Sequence, residues 1–113
     1  PIIAGIFFPN KGNYITVIGN SKSRKIVKQI TSLFKETSSF PIESLALDFI
    51  PTTDYSDHGS FWKYGFPAVM ITDMAFYRYA HYHQQTDTAD KLNYQKMACV
   101  IEGFYPAILK FAN

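Results

Sequence analysis

A single cysteine, Cys99, leaves this chain without an internal disulfide and without a cysteine-built zinc site. Any metal would have to be held by histidine and carboxylate, and the redox compartment stays undetermined. Histidine is scarce too: there are three, and none precedes His58. Charge is low, with 18% Asp, Glu, Lys and Arg and a net +2 over 113 residues. That excludes a nucleic-acid footprint, which needs many clustered Lys and Arg. No apolar run approaches the ~20 residues that a membrane-spanning helix requires. Neither an initiator Met nor a signal peptide precedes Pro1, which fits removal of Met or a piece of a longer protein. Internal repeats and low-complexity tracts are absent.

What is present is a globular composition, 47% hydrophobic and 17% aromatic with ten Phe and eight Tyr. The length suits one domain, residues 1–113, able to bury a core rich in rings. Ile2 to Phe8 is an apolar run that reads as a strand or as a connector packed on upstream structure, and turn signals follow it. Tyr14 to Ile18 is aromatic and β-branched, a short buried strand. Asn20 or Ser21 then caps a helix to about Lys35, with Ile26, Val27, Ile30, Leu33 and Phe34 on one stripe. Lys22, Arg24, Lys25 and Lys28 fall mostly opposite and read as a solvated helix face.

Leu45 to Ile50 resembles a second strand interrupted by Asp48. Ser56 or Asp57 begins a two-turn helix with Phe61 and Trp62 as its apolar face and Gly65 as its stop. Pro67 to Thr72 has the character of a buried parallel strand, closed by Asp73, and Phe76 to Tyr79 is an aromatic loop. A last helix runs from about Asn93 to Phe111, with Met97, Val100, Ile101, Phe104, Ile108 and Phe111 as its buried stripe. Pro106 should kink or split it. The order strand, helix, strand, short helix, strand, helix predicts an α/β fold. Its sheet would be mostly parallel and flanked by helices in three layers.

In such sheets, sites gather in loops beyond the carboxyl ends of the strands. Two loops hold the polar clusters, Ser56-Asp57-His58 and His81 to Asp87. His81 and His83 are two apart, so in an extended segment they face opposite ways and do not share one metal. Asp57 also suits a helix N-cap, worth roughly 1 kcal/mol, and Asp87 and Asp90 suit the turn into the last helix. These residues alone point to a metal or hydrolytic site.

Several stretches together resemble a known family. Ser56-Asp57-His58, Phe61, Gly65-Phe66-Pro67-Ala68 and Ile71-Thr72-Asp73 come first, followed by Tyr82-His83, Asp87-Thr88 and Asp90-Lys91-Leu92. In that order and spacing they resemble the carboxyl-terminal half of the M28 family of zinc aminopeptidases, over most of residues 10 to 112. The chain departs from the family pattern at Gln84, where Thr is usual, and at Ala80-His81, where Asn-Pro-His is common.

The resemblance implies two zinc ions sharing a bridging water and a carboxylate, with a glutamate as general base. It implies His83 as a ligand of one zinc, and it matches Tyr82 to a position where some relatives place a tyrosine that stabilises the oxyanion and others use a different residue. It places Asp57 as an acid behind the metal site and Asp87 as a brace for the His83 loop, with Phe76 to Tyr79 shaping the substrate pocket. The family's other ligands (a histidine, two aspartates and a glutamate) and its base precede this region. Residues 1–55 contain no histidine and no adjacent Glu-Glu pair. The expectation is therefore the carboxyl-terminal portion of a zinc-peptidase domain, inactive alone. Its partners would be a peptide substrate and the missing amino-terminal portion, and the isolated chain is expected to self-associate. Two other members of the same fold remain open: a non-catalytic binding or receptor-like relative, and a zinc-dependent glutaminyl cyclase.

Overall fold

The computed structural model describes residues 11–49 and 54–113. The apolar run Ile2 to Phe8, and Ile50 with the loop residues 51–53, lie outside them. Strand β1 (Ile15–Gly19) is central in a three-stranded sheet, with β2 (Ile42–Ala46) on one side and β3 (Val69–Thr72) on the other. A 3-10 turn (Ser21–Ser23) leads into helix α1 (Arg24–Thr37), which crosses over to β2. Helix α2 (Asp57–Lys63) precedes β3. The one-turn α3 (Ala75–Arg78), a 3-10 turn (Ala89–Lys91) and the long α4 (Tyr94–Ala112) follow. The α/β class holds.

β2 lies parallel to β1, in register from Ile15 with Ile42 to Gly19 with Ala46. This is the expected product of an intervening helix as long as the strands it spans. β3 is antiparallel, from Gly19 with Val69 to Thr72 with Thr16, so among the described residues the sheet is mixed, with one parallel and one antiparallel pair, and the expected parallel majority is not seen in them. β3 begins at the end of the sheet where β2 finished, opposite Gly19. Ala68 is pinned there: its N–H donates to Ser23 Oγ at 3.0 Å and its carbonyl accepts from Trp62 Nε1 at 2.9 Å. β2 is displaced from the expected Leu45–Ile50. It ends at Ala46, and beyond it the Asp48 carboxylate accepts from the Ser21 N–H at 2.8 Å, which holds its pKa below the ordinary value.

Side-chain alternation along β1 divides the core in two. Ile15 and Val17 face α1 and α4, where they meet Val27, Ile30, Phe34, Phe104 and Ala107. Tyr14 and Ile18 face the other way, with Met74, and Trp62, Phe76 and Tyr77 pack around them. The α1 stripe is as predicted: Val27, Ile30 and Phe34 are buried, Ile26 and Leu33 partly so. α4 differs. Its buried residues are Gly103, Phe104 and Ala107, while Met97, Ile101, Ile108 and Phe111 stay exposed. Small residues let the two helices approach closely. A Cβ on Gly103 would lie 2.5 Å from Phe34 Cε2, and the Gly103 carbonyl accepts from Thr37 Oγ1 at 2.8 Å. Pro106 does not split α4, which is assigned as one continuous helix. Among the described residues, no helix is long and apolar enough to cross a membrane.

Candidate functional site

Two polar segments carry the candidate residues. On α2, Ser56 is the N-cap and Asp57 the first helical residue, exposed, with its carboxylate in the helix's first turn where a negative charge is favoured. Phe61 is exposed; the inward residues are His58 and Trp62, whose rings meet edge to face at 4.6 Å and 82°. His58 therefore belongs to a buried helix face and not to an open loop.

The second segment is built from turns. α3 takes the place of the expected aromatic loop, and Phe76 and Tyr77 pack against the cluster around Ile18 and Met74. From Tyr79 the chain makes three consecutive turns. The Tyr82 N–H donates to the Tyr79 carbonyl at 3.1 Å, Gln84 N–H to His81 at 2.9 Å, and Asp87 N–H to Gln84 at 3.0 Å. His83 occupies the third position of the middle turn with φ +55°, the left-handed region that such turns require and that Gly or Asn usually fills. The segment is not extended, so the opposite-facing argument for His81 and His83 does not apply. They are separated by commitment instead: His81 Nδ1 is hydrogen-bonded to Thr86 Oγ1 at 2.8 Å. His83 is exposed at the tip, its imidazole stacked on the Tyr82 ring at 4.0 Å and 16°.

Asp87 closes the segment by accepting from the Tyr79 hydroxyl at 3.0 Å. Partial burial, and then the bond and charge of Asp87, hold the Tyr79 phenol above its ordinary pKa. Motif reasoning counted Tyr79 only within the pocket-shaping stretch Phe76 to Tyr79 and passed over Thr86; it foresaw the hydrogen bond of neither. Their pairings span eight and five residues, separations without a periodic signal, and only the turn geometry reveals them.

The structure brings Tyr82, His83 and Asp87 into one compact loop. It does not bring Asp57 to them: among the described residues no hydrogen bond, ion pair or ring contact joins the two segments' acids and His83. Because β3 runs antiparallel, its carboxyl end lies beside Thr16, at the other end of the sheet from α2. The link between the segments is apolar. Trp62 of α2 and Phe76 of α3 pack on the same cluster, and Phe76 in turn lies 6.3 Å from the Tyr82 ring.

Zinc takes three or four protein ligands at a complete site. Among the described residues no three His, Cys, Asp or Glu gather into a group that could hold a metal ion. What fits is a single donor. The His83 imidazole is exposed, oriented by a stacked ring, and makes no hydrogen bond among the described residues.

A sequence model of peptidase family M28 matches residues 5–107. The chain is similar to the uncharacterized protein YfbL of Escherichia coli K12, with 42% identity over 97 residues. Those residues make up 85% of this chain and 30% of the relative, so the chain spans under a third of that protein's length. No solved structure matches.

Proposed function

The chain belongs to peptidase family M28, and we propose that it is the carboxyl-terminal portion of a zinc-dependent aminopeptidase, supplying one ligand and part of the substrate pocket. Membership carries metal-dependent peptide hydrolysis at the level of the family; the amino-terminal specificity and the zinc are our reading. It rests chiefly on one observation: an exposed imidazole held at a turn tip with its hydrogen-bonding capacity unspent. A buried, hydrogen-bonded histidine would argue for a structural duty. Bound zinc would lower the pKa of a water and polarise the scissile carbonyl.

In this reading His83 donates a nitrogen to the metal, and Tyr82, stacked against it and 38% exposed, offers its hydroxyl to the developing oxyanion. Asp87 fixes the loop. Asp57, on α2, is assigned to the region behind the site on the family resemblance alone. Carbonyl attack also needs a base and further ligands, which we assign to the upstream portion of the parent protein. In the complete protein, peptides with a free α-amine should be shortened from that end in a zinc-dependent way, and N-acetylated versions should survive. Equal cleavage of both would overturn the aminopeptidase specificity. Conversion of Gln-initiated peptides to pyroglutamyl peptides without hydrolysis would identify a cyclase.

The upstream portion has a surface to occupy. A groove of about 440 Å³ opens between β3, the start of β1 and α4, lined by Tyr14, Ile71, Leu92, Met97, Val100 and Ile101. Among the described residues the outer edge of β3 is unpaired, and an unpaired strand edge templates further pairing. In isolation, residues 1–113 should self-associate through this surface, seen as mass rising with concentration in sedimentation equilibrium. A monomer with a single cooperative melt would contradict that.

A further inference from the structure

We infer that Tyr79 is a positioning residue for the metal-binding loop: its contacts hold the His83 turn in the conformation that presents the imidazole. The inference rests on His83 being a ligand, as proposed above.

The turn at His83 is not self-sustaining. A non-glycine residue at φ +55° is disfavoured, although His is among the residues found there more often than most. Such a conformation persists only where its surroundings over-determine it. Here Tyr79 touches the loop at every stage. Its N–H closes α3 onto the Ala75 carbonyl at 2.8 Å, and its own carbonyl accepts from Tyr82, the residue before His83. Its ring meets the His81 ring at 5.2 Å and 62°, on the residue that opens the turn, and His81 is in turn bonded to Thr86. Its hydroxyl reaches Asp87, where the last turn ends. The loop is thus wrapped around one partly buried side chain, itself anchored to a helix whose Phe76 and Tyr77 are packed in the core. The raised phenol pKa keeps the proton on Tyr79 across the neutral range, so the hydroxyl remains a donor to the carboxylate.

Removing only the hydroxyl isolates this role. Tyr79→Phe preserves the ring contacts and both backbone bonds and breaks the bond to Asp87. In the complete protein, we expect Tyr79→Phe to weaken Zn²⁺ binding, measured by competition with a chelator, by roughly 10-fold or more, within the range for partners that orient a ligand. The absorption spectrum of the Co²⁺-loaded variant should shift, reporting altered ligand geometry. Amide exchange at Gln84 and Asp87 should speed up without metal. Asp87→Ala should produce a similar loss, and combining the two should add little, because both remove the same bond.

A lowered melting temperature with unchanged metal affinity, Co²⁺ spectrum and amide exchange would overturn the inference and reduce Tyr79 to a packing residue. His83→Gly is run alongside. If it abolishes the metal response while Tyr79→Phe does not, the positioning role fails and the ligand assignment stands. If neither variant moves metal affinity, the ligand assignment fails as well.

Discussion

Replacing His83 with Gly in the complete protein is expected to leave the fold as stable as before, or more so, and to lower peptide hydrolysis by more than about 100-fold, the upper end of the loss when only an outer partner of a ligand is changed. The two effects separate because of where His83 sits. At φ +55° a Cβ is a liability, and glycine relieves a left-handed strain of roughly 1–2 kcal/mol, offset in part by its greater freedom in the unfolded chain. The imidazole itself contributes little to folding: it is exposed, and among the described residues its ring contact is with its sequence neighbour Tyr82. A residue that carries backbone strain without burying surface is the kind of position where function and stability oppose each other. Thermal melts and initial rates on a free-amine peptide read the two halves separately. A large drop in melting temperature with only a modest drop in rate would show His83 to be structural.

The second large effect is on stability. Phe34→Ala should destabilise the complete protein by about 3–5 kcal/mol, the range for emptying a fully buried aromatic site, a large share of the total stability of a domain. Phe34 is 0% exposed, its ring lies 4.4 Å from that of Phe104, and Gly103 leaves the space it fills. The surrounding elements cannot easily close the cavity, because the 2.8 Å bond from Thr37 to the Gly103 carbonyl already fixes how near α1 and α4 can come. Denaturant melts measure this directly. A loss below about 1 kcal/mol, as expected for surface positions, would mean that the α1–α4 contact is not where the core is held.

Phe34 and its stripe on α1 were legible from sequence, because large apolar residues at helical spacing announce which face is buried. The face of α4 was legible only in part: Phe104 and Val100 do pack on the core, but patterning follows bulk and so also selected Met97, Ile101, Ile108 and Phe111, which stay exposed. It passed over Gly103 and Ala107, whose value at the helix contact lies in being small. The direction of β3 was equally hidden. Parallel and antiparallel neighbours carry no local signature, and the connection between Ala46 and Val69 is long enough for either. That reversal separates the two loops that a wholly parallel sheet would have gathered at one end. The family was legible only from several stretches together, Ser56-Asp57-His58, Gly65 to Ala68 and Ile71 to Asp73 with Tyr82-His83 and Asp87 to Leu92, and the family match over residues 5–107 bears this out. The positive φ of His83 and the Tyr79–Asp87 bond were beyond reach, since each depends on three successive turns folding back on themselves.

Zinc retention compares the complete protein with its His83→Gly variant most directly. Both would be loaded with Zn²⁺, dialysed against a buffer of fixed free zinc, and analysed for metal per folded chain. With His83 as a ligand, the variant keeps its native circular dichroism spectrum and retains fewer zinc equivalents than the unaltered protein. Equal zinc content across the whole range of free zinc, with the fold intact, would contradict the assignment of His83 to the metal.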